Sequence, residues 1–469
     1  MPMSVPSARG RAPLSLVVAA LFVLAGAGTA RAATRTVTTL ADSGPGSLRQ
    51  AIIDAQPGDT INFAVTGTIL INPSGALSID KDLTIDGPGA NVLAISGGGT
   101  TGVLQIWYST VTIQGVTIRD GWAPGSTVGS GLSVGYSTAT LNNVAIVDNK
   151  AGAAGAGIVS GDSILTINNC TFTGNVAGDW GGAIYIQNDY EEQSTTITNS
   201  TFSGNVAMDG AAVHNWVGGL SIRNSTFVGN STTEATGGDI EGFGPFELKN
   251  SLFVRGASGS NCSFQPQTVG GVNFSDDGTC GATLATPEAL NLGPLADNGG
   301  PTMTHALLEG SVAIDAATDC TDWEGQPVAT DQRGVKRPQG LACDVGAFER
   351  EANTFAFAGF FAPVNNEPTV NVVKAGSAVP VKFTLGGDFG LGILAGAPTA
   401  PAVACTPGNV TDSLTEVTSA GNSGLQFDPG TLVYTFVWKT DKSFAGTCRE
   451  FRLTLSDGSV HTARFQFSK

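Results

Sequence analysis

A group of acidic and aromatic residues between positions 179 and 216 holds the side chains that could do chemistry in this chain. Carboxylates close to one another can bind calcium or act as acid and base in polysaccharide cleavage, provided that an Arg, Lys or His lies beside them. Aromatic and acidic side chains on one face also suit adhesion to a polysaccharide or another cell-surface ligand. The residues that we place on this candidate ligand surface are Asp179, Trp180, Tyr185, Asp189, Tyr190, Asp209 and Trp216.

The same residues also have structural interpretations. The turn QNDYEEQS at 187–194 carries three acidic residues, and an acidic turn is ordinarily a solvated loop. Trp180 and Trp216 can cover the edges of repeats, and His214 in the phrase VHN is more often a structural polar residue than a catalytic base. Motifs of lyases or hydrolases do not occur at matching positions. We therefore assign no catalytic, cofactor-binding or metal-binding residue, and keep Ca²⁺ as the one cofactor to be tested.

The elements that must position these residues belong to a repeat. Six segments align without internal gaps: VTIQGVTIRDG from 111, ATLNNVAIVDN from 139, LTINNCTFTGN from 165, TTITNSTFSGN from 195, LSIRNSTFVGN from 220 and FELKNSLFVRG from 246. Their fifth residues recur at intervals of 25 to 30 residues. A period in this range is typical of stacked repeat architectures.

Apolar columns in this alignment identify the kind of repeat. Two columns lie in a period-2 alternation that indicates half-buried strands, and a third lies in the GGAI-like phrases that follow. Three short strands per coil, joined by Gly and Asn turns, predict a right-handed parallel β-helix with coils about 4.8 Å apart. We place it at residues 33–290. The columns are Ile113, Leu141, Ile167, Ile197, Ile222 and Leu248; Ile118, Ile146, Phe172, Phe202, Phe227 and Phe253; and Leu132, Ile158, Ile184, Val213 and Ile240.

Two further columns make specific predictions about the coils. Asn175 and its equivalents are expected at a turn where Asn tolerates left-handed backbone geometry. Cys170 shares its column with small residues, so we expect it to be a small core residue rather than a nucleophile or ligand. The equivalents of Asn175 are Asn149, Asn205 and Asn230, and those of Cys170 are Val116, Val144, Ser200, Ser225 and Ser251.

The first coil needs a cover, because open strand edges invite aggregation. The segment GPGSLRQAIIDAQPGDTINF begins at Gly44. Ser47 and Gln50 have the spacing of a capping box, and an apolar stripe follows them with helical periodicity. We therefore predict a short helix that seals the N-terminal coil, with its stripe formed by Leu48, Ala51, Ile52 and Ala55.

Composition and charge restrict the classes of partner. The 469 residues include 64 Gly and only 13% charged residues, which favours a β-rich, turn-rich protein. Acidic residues outnumber basic ones by 39 to 23, so the formal net charge is −16. This charge argues against nucleic acid and against an anionic membrane as partners. We expect a monomer.

The N-terminus and the cysteines indicate export. Residues 1–32 have the pattern of a secretory signal peptide, with Arg9 and Arg11 before the apolar run LSLVVAALFVLAGAG and a cleavage site at Ala30-Arg31-Ala32. No later stretch is apolar enough to cross a bilayer, so we expect an extracellular or cell-surface protein without membrane insertion.

Seven Cys fit an oxidising compartment. Sequence alone leaves their connectivity open, but proximity favours Cys262 with Cys280, Cys320 with Cys343, and Cys405 with Cys448, leaving Cys170 unpaired.

Several segments resemble known bacterial families. TLADSGPGSLRQAI at 39–52 resembles the N-terminal signature of secreted CSLREA-type β-helix proteins. GPLADNGGPTMTHALLEGSVAIDAA at 293–317, with ATDQRGVKRPQGLACDVGAFER at 329–350, is similar to the choice-of-anchor Q domain. The Phe-x-x-Asn and GGAI phrases resemble the repeats of chlamydial polymorphic outer membrane proteins. These resemblances imply a surface or secreted β-helix, with residues 291–353 as its C-terminal cap.

The last part of the chain loses the repeat. From about Thr354 the strands AVPVKFTLGG, LVYTFVWKT, FRLTLSDG and HTARFQFS have the spacing of a β-sandwich. Cys405 and Cys448 would bridge such a sandwich, with Trp438 packed nearby. Pro380-Val381-Lys382-Phe383 resembles the signature of the PxKF domain, which implies an immunoglobulin-like module at residues 354–469.

The sequence therefore predicts an all-β, exported protein with a structural, adhesive or carbohydrate-binding role and without catalysis. The alternative is a polysaccharide lyase or hydrolase that acts in a lateral groove of the β-helix. Adhesion needs only an exposed face, whereas cleavage needs Asp and base side chains that converge from several coils.

Overall fold

Parallel strands stacked coil upon coil make up the larger part of the structure. The computed structural model describes residues 32–71, 75–125, 129–188, 193–234, 237–351, 355–405 and 424–469. From Thr34 to Leu284, strands of successive coils pair in parallel in three long sheets. The predicted right-handed parallel β-helix with three strands per coil is thus confirmed, and a β-sandwich follows it.

The three long sheets are called A, B and C here. Sheet A contains Thr34–Val37, Asp59–Phe63, Leu83–Asp86, Thr110–Gln114, Thr138–Asn142, Ile164–Asn168, Ser194–Thr198, Gly219–Arg223, Phe246–Lys249 and Thr268–Gly270. Sheet B contains Gly67–Leu70, Leu93–Ser96, Thr117–Arg119, Ala145–Val147, Thr171–Thr173, Thr201–Ser203, Thr226–Val228, Leu252–Val254, Phe274–Ser275 and Thr283–Leu284. Sheet C contains Leu77–Ile79, Leu104–Trp107, Leu132–Gly135, Ile158–Gly161, Ile184–Gln187, Val213–Val217, Gly238–Gly242 and Ser260–Cys262.

A fourth, short sheet was not predicted from the sequence. Its two-residue strands follow sheet B in five coils, where the alignment shows a turn rather than an apolar alternation. They are Trp122–Ala123, Lys150–Ala151, Val176–Ala177, Val206–Ala207 and Ser231–Thr232.

The predicted apolar columns are ladders in the interior. Phe172, Phe202, Phe227 and Phe253 are register partners on successive strands of sheet B, and all four are fully buried. Their rings stack with centroids 4.6 to 4.7 Å apart. This separation matches the distance between neighbouring strands, so one aromatic ring per coil fills the core without a gap.

The asparagine prediction was wrong in its geometry. Asn149, Asn175, Asn205 and Asn230 do not have positive φ; they form a buried ladder in which each side-chain amide donates to the next amide oxygen, at 3.0, 2.9 and 2.9 Å. Their amides satisfy one another inside the coil stack, which an interior position requires. The left-handed residues belong to another column, at Asn143, Asn169, Asn199, Asn224 and Asn250.

A short helix lies at the N-terminal end, as predicted. It spans Leu48–Asp54, with Leu48 and Ile52 buried, and the hydroxyl of Ser47 accepts from the backbone N–H of Gln50. The second half of the capping box is absent, because the Gln50 side chain donates to Asp54 at 2.8 Å instead.

Residues 291–351 pack along the side of the β-helix as well as on its last coil. After the helix Pro287–Leu290, a hairpin of Leu292–Ala296 and Thr304–Leu307 begins this segment. The buried side chain of Gln332 donates to Thr171 Oγ1 at 2.8 Å and accepts from Thr201 Oγ1 at 2.6 Å, both on strands of sheet B. The segment therefore fixes the flank of several coils rather than only covering an end.

Two four-stranded sheets form the C-terminal sandwich. One contains Phe360–Phe361, Ala378–Phe383, Val433–Lys439 and Leu425–Asp428, and the other contains Val370–Lys374, Val460–Ser468, Cys448–Thr454 and Ala402–Val403. A 3₁₀ turn at Lys442–Phe444 precedes Cys448–Thr454. The core is aromatic: Trp438 packs against Phe451 and Phe465, with ring centroids 5.0 and 5.1 Å apart.

The cysteines pair in the order that sequence proximity favours: Cys262 with Cys280, Cys320 with Cys343, and Cys405 with Cys448. Cys170 is free and fully buried. The bond at Cys405 does not connect the two sheets of the sandwich. Val403 and Cys448 are register partners, and Cys405 follows the strand Ala402–Val403. The disulfide therefore links Cys448 to the residues just after the neighbouring strand of the same sheet.

The signal-peptide prediction concerns residues of which all but Ala32 lie outside the described part of the chain. Among the described residues, no helix has both the length and the apolar character that crossing a bilayer would require.

Candidate functional site

The loop that leads into each strand of sheet C folds back against the strand. Gly181 has φ +66° and approaches so closely that a Cβ there would overlap the carbonyl oxygen of Ile184. Gly210 takes the same place in the next coil, where a Cβ would lie 2.6 Å from His214 Cβ. The residues before these two glycines, Trp180 and Asp209, form a bridge between coils. The GGAI-like phrases thus place Trp180 and Asp209 beside the strands of sheet C.

Three rings form a compact cluster at this point, which we call the ring cluster. Tyr185 and His214 are register partners on neighbouring strands, with ring centroids 5.5 Å apart. The indole of Trp180 lies 6.1 Å from Tyr185 and 6.0 Å from His214. Tyr185 is only 5% exposed and His214 is buried, whereas Trp180 is half-buried. Trp180 is therefore the member of the ring cluster that has substantial surface in contact with solvent.

A β-bulge extends the aromatic surface beyond the ring cluster. Ile186 pairs with Asn215 but Gln187 pairs with Val217, so Trp216 is the extra residue. Bulges redirect side chains and are frequent beside functional sites. Trp216 is 44% exposed, lies 6.2 Å from His214 and meets Phe243 edge to face at 5.4 Å. Phe243 is 75% exposed. Trp216 and Phe243 are called the exposed pair, because both of these large aromatic side chains are accessible to solvent.

Two carboxylates, Asp209 and Glu241, lie beside these rings. Burial raises the pKa of Asp209, and repulsion by Glu234 raises it further. Glu241, the register partner of His214, has a pKa raised by burial and by repulsion from Asp209, against a lowering hydrogen bond with Ser263. These two carboxylates therefore influence each other and bind protons more readily than exposed ones do.

His214 has the opposite shift. Burial lowers its pKa to about 4, because the charged imidazolium loses hydration among the rings. The imidazole is therefore neutral at pH 7. Its Nδ1 is buried and has no hydrogen-bond partner within the described residues. A neutral imidazole against two aromatic rings extends the apolar surface rather than adding charge to it.

The arrangement suits the binding of a molecule with both apolar faces and hydroxyl groups. Ligand sites are typically apolar or aromatic surfaces with a few well-placed polar groups. Carboxylates offer up to four acceptor positions for hydroxyl donors. In the described ranges, no three His, Cys, Asp or Glu side chains are grouped so that they could hold a metal ion.

The predicted ligand-surface residues have different positions in the structure. Trp180, Asp209 and Trp216 come together as described above. Asp179 is half-buried on the same loop, and its backbone carbonyl accepts from the N–H groups of Met208 and Asp209. Tyr185 belongs to the ring cluster, but its burial makes it a support for Trp180 rather than a contact surface. Asp189 and Tyr190 lie outside the described residues.

Two members of this surface were missed by the sequence analysis, Glu241 and Phe243. Glu241 could have been found from the column Tyr185, His214, Glu241, which follows directly from the register of the third apolar column. Phe243 had no comparable signal, because it follows Gly242 at the end of a strand and has no aromatic equivalent in the alignment.

Comparison with protein families supports the fold. Residues 67–269 match the family model described as the right handed beta helix region. The match includes the strands that carry the ring cluster and the exposed pair, and the parallel sheets agree with it. Neither curated proteins nor solved structures gave a significant match. The β-helix assignment of this segment rests on both the family model and the coil geometry.

Proposed function

We propose that the chain is an exported extracellular or cell-surface β-helix protein that binds polysaccharide through Trp180, Trp216, Phe243 and the carboxylates beside them. We also propose that residues 39–52 and 291–353 belong to the CSLREA and choice-of-anchor Q types, and residues 354–469 to the PxKF type. The right-handed β-helix family fits surface, carbohydrate-binding and hydrolytic proteins alike. The choice among these rests on the site.

The exposed pair is the observation that carries binding. Trp216 is 44% exposed and Phe243 is 75% exposed, so a ligand that covers them would remove a large apolar surface from water. Aromatic residues at a surface dominate the energetics of recognition, since each offers large apolar area with few rotatable bonds. Neighbouring Asp209 and Glu241 can accept hydrogen bonds from hydroxyl groups. A sugar ring has both an apolar face and hydroxyl groups at its edge, so it matches this combination.

Electrophoresis in gels that contain soluble polysaccharides tests this proposal. Wild-type protein and Trp216→Ala/Phe243→Ala are compared in gels with hydroxyethylcellulose, glycol chitin or polygalacturonate, with and without calcium. Leu391→Ala is the control, because Leu391 is exposed but lies in the sandwich. We expect at least one polysaccharide to retard wild type and Leu391→Ala equally, and to lose its effect on the double variant. Equal retardation of all three proteins, or of none, contradicts the proposal.

One observation favours the alternative of hydrolysis. Asp209 and Glu241 both have raised pKa values and repel each other, and a carboxylic acid with a raised pKa is the general acid of glycoside hydrolysis. Incubation with the same polysaccharides, followed by measurement of reducing ends and of ultraviolet-absorbing unsaturated ends, detects hydrolysis or lyase activity. Product that is lost in both Asp209→Asn and Glu241→Gln would replace the non-catalytic proposal by the hydrolytic one.

A further inference from the structure

A second group of exposed aromatic residues lies nearer to the N-terminal end of sheet C. Tyr108 is 76% exposed and Tyr136 is 54% exposed, and they occupy the same place in successive coils. Their rings stack with centroids 5.2 Å apart and planes within 4°. Trp107 lies beside them, with its ring centroid 6.5 Å from that of Tyr108. These three residues are called the tyrosine ladder.

The backbone at the tyrosine ladder is unfavourable for tyrosine. Tyr108 has φ 53° and Tyr136 has φ 50°, both in the left-handed region. In the next coil this position is Asp162, at φ 47°, a residue type that tolerates the region far better than an aromatic one. Strained residues that persist in a fold are concentrated at functional sites. Two consecutive coils therefore keep an exposed aromatic ring where Asn, Asp or Gly would fit the turn with less strain.

The neighbouring coil leaves space for the side chain of Trp107. Its register partner is Gly135, and a Cβ at Gly135 would overlap the indole ring. The missing side chain lets the indole lie across the next coil beside the tyrosines. Trp107 remains half-buried rather than enclosed, so part of the indole surface stays accessible.

The cleft beside the tyrosine ladder is polar, and no cationic residue occurs in its described lining. It has a volume of about 360 Å³, and Asp82, Thr138, Asp162 and Gln193 contribute to its lining. The lining residues include neither Lys nor Arg. Hydroxyl and carboxylate groups without a cation suit neutral or N-acetylated sugars and disfavour polyanions, in line with the net charge of −16.

The tyrosine ladder and the exposed pair lie at the C-terminal ends of the strands of sheet C, which form one edge of this sheet. Trp107, Gly135, Gly161 and Gln187 are register partners on four successive strands, and the bulge at Trp216 is on the fifth. Four steps at the usual strand spacing place Trp107 about 19 Å from Trp216, and Tyr136 is one coil nearer. Gly135 and Gly161 have no side chains, so the surface at these two coils is low.

We infer that the tyrosine ladder is a second saccharide subsite, and that with the exposed pair it binds one linear neutral polysaccharide along the edge of sheet C. This inference rests on the proposed function, since it extends that site in length and names its ligand class. The chain of sugars would contact Tyr108 and Trp107 at one end and Trp216 and Phe243 at the other. Binding energy from two subsites on one ligand is gained without a second loss of translational freedom.

The test replaces the tyrosines with residues that suit the turn. Tyr108→Asn/Tyr136→Asn removes the rings and relieves the left-handed strain, whereas Tyr108→Phe/Tyr136→Phe keeps the rings. Affinity electrophoresis with hydroxyethylcellulose, glycol chitin and polygalacturonate gives the dissociation constants, and thermal unfolding gives the midpoints. We expect neutral polysaccharide to bind about tenfold more weakly to the Asn variant and within about twofold of wild type to the Phe variant. The Asn variant should unfold at the wild-type temperature or above it.

The outcomes separate this inference from the proposed function. Loss of binding in Trp216→Ala/Phe243→Ala but not in the Asn variant overturns the second subsite and leaves the function standing. If polygalacturonate is the only polysaccharide that retards wild type, the assignment of a neutral polysaccharide as ligand is overturned. A lower unfolding midpoint in the Asn variant shows that the tyrosines stabilise the turn, which overturns the argument from strain. Absence of binding by wild type to all three polysaccharides overturns both proposals.

Discussion

Phe172 and Phe202 stack face to face in the interior of successive coils, with ring centroids 4.6 Å apart and planes within 2° of parallel. Phe227 continues the stack on the other side of Phe202 at 4.7 Å. Each ring thus has an aromatic neighbour one coil away, and the ladder joins coils that are distant in sequence into one core.

Removal of the middle ring should destabilise the β-helix strongly. We expect Phe202→Ala to lower the free energy of unfolding by about 3–5 kcal/mol, because it leaves a cavity between two rings that cannot close it. Chemical denaturation measures this loss. Phe243→Ala is the matched control, since Phe243 is 75% exposed, and its effect on stability should stay within about 0.5 kcal/mol. Equal losses in the two variants would contradict the buried ladder.

Gly181, at the entry to sheet C, provides both a left-handed backbone and a close approach to the strand, and comparison with Gly204 separates these two effects. Gly181 and Gly204 have φ of +66° and +64°, so an Ala at either position has the same backbone strain. At Gly181 the added Cβ would overlap the Ile184 carbonyl, but at Gly204 nothing lies within 4 Å. We expect Gly204→Ala to cost about 1–2 kcal/mol and Gly181→Ala to cost about 1–3 kcal/mol more. Denaturation midpoints of the two variants test the difference, and equal midpoints would show that the loop can move away from the strand.

The fold could be predicted from the sequence because a solenoid repeats its own signal. The three apolar columns predicted the strands of sheets A, B and C and their register in the coils that the columns cover, since each column had five or six examples. The same columns could not give the geometry of Asn175. A left-handed turn and a buried amide ladder both produce an Asn at the same interval in the sequence. The backbone dihedral angles and the hydrogen bonds of the structure distinguish the two.

The candidate site was less predictable because it breaks the repeat. Trp216 owes its exposure to a bulge of one residue, and Phe243 follows a glycine that has φ 140°. Neither irregularity has an equivalent among the described residues of the other coils, so no aligned column could predict it. The burial of Tyr185 is also a property of the loop around it rather than of its own strand. Tyr108 and Tyr136 repeat, but their significance lies in a left-handed backbone that the sequence does not reveal.

Cys170 should be inert in the folded protein. Burial raises the pKa of its thiol to about 12, and only the thiolate reacts readily. We expect a thiol reagent such as 5,5′-dithiobis(2-nitrobenzoic acid) to leave the native protein unlabelled and to detect one thiol after denaturation. Labelling of the native protein at the rate of an exposed cysteine would contradict the assigned register.

Serine should replace Cys170 at little cost. The thiol lies 3.2 Å from the carbonyl oxygen of Asn168, and Ser200 in the next coil donates its hydroxyl to the carbonyl oxygen of Thr198 at 2.8 Å. Cys170→Ser can make the same bond, so we expect its free energy of unfolding to stay within about 1 kcal/mol of wild type. Cys170→Asp is the contrasting variant. It would bury a carboxylate in the fully enclosed interior of the coil, and its denaturation midpoint should fall far below that of Cys170→Ser.

His214 should make the stability of the β-helix depend on pH. Its pKa is lowered from 6.5 to about 4 in the folded protein, so between these values the unfolded chain binds more protons than the folded one. Stability therefore rises with pH through this window and is lost as pH falls from about 6.5 to about 4, by on the order of 3 kcal/mol in total. Tyr185 and Glu241 flank His214 on the neighbouring strands, and the raised pKa of Glu241 gives a contribution of opposite sign, since an ionised Glu241 destabilises the fold.

Comparison with His214→Gln isolates the histidine. Glutamine does not titrate, while the contribution of Asp344, whose pKa burial raises to about 7, remains in both proteins. Glu241 also remains, although its pKa can shift when its neighbour changes. We expect the difference in the free energy of unfolding between wild type and His214→Gln to be constant above pH 7 and to move against wild type as pH falls to 4. Urea denaturation at half-unit intervals of pH measures this difference. A difference that does not change with pH would mean that His214 has the same pKa in the folded and the unfolded chain, and hence that water reaches its imidazole through the ring cluster.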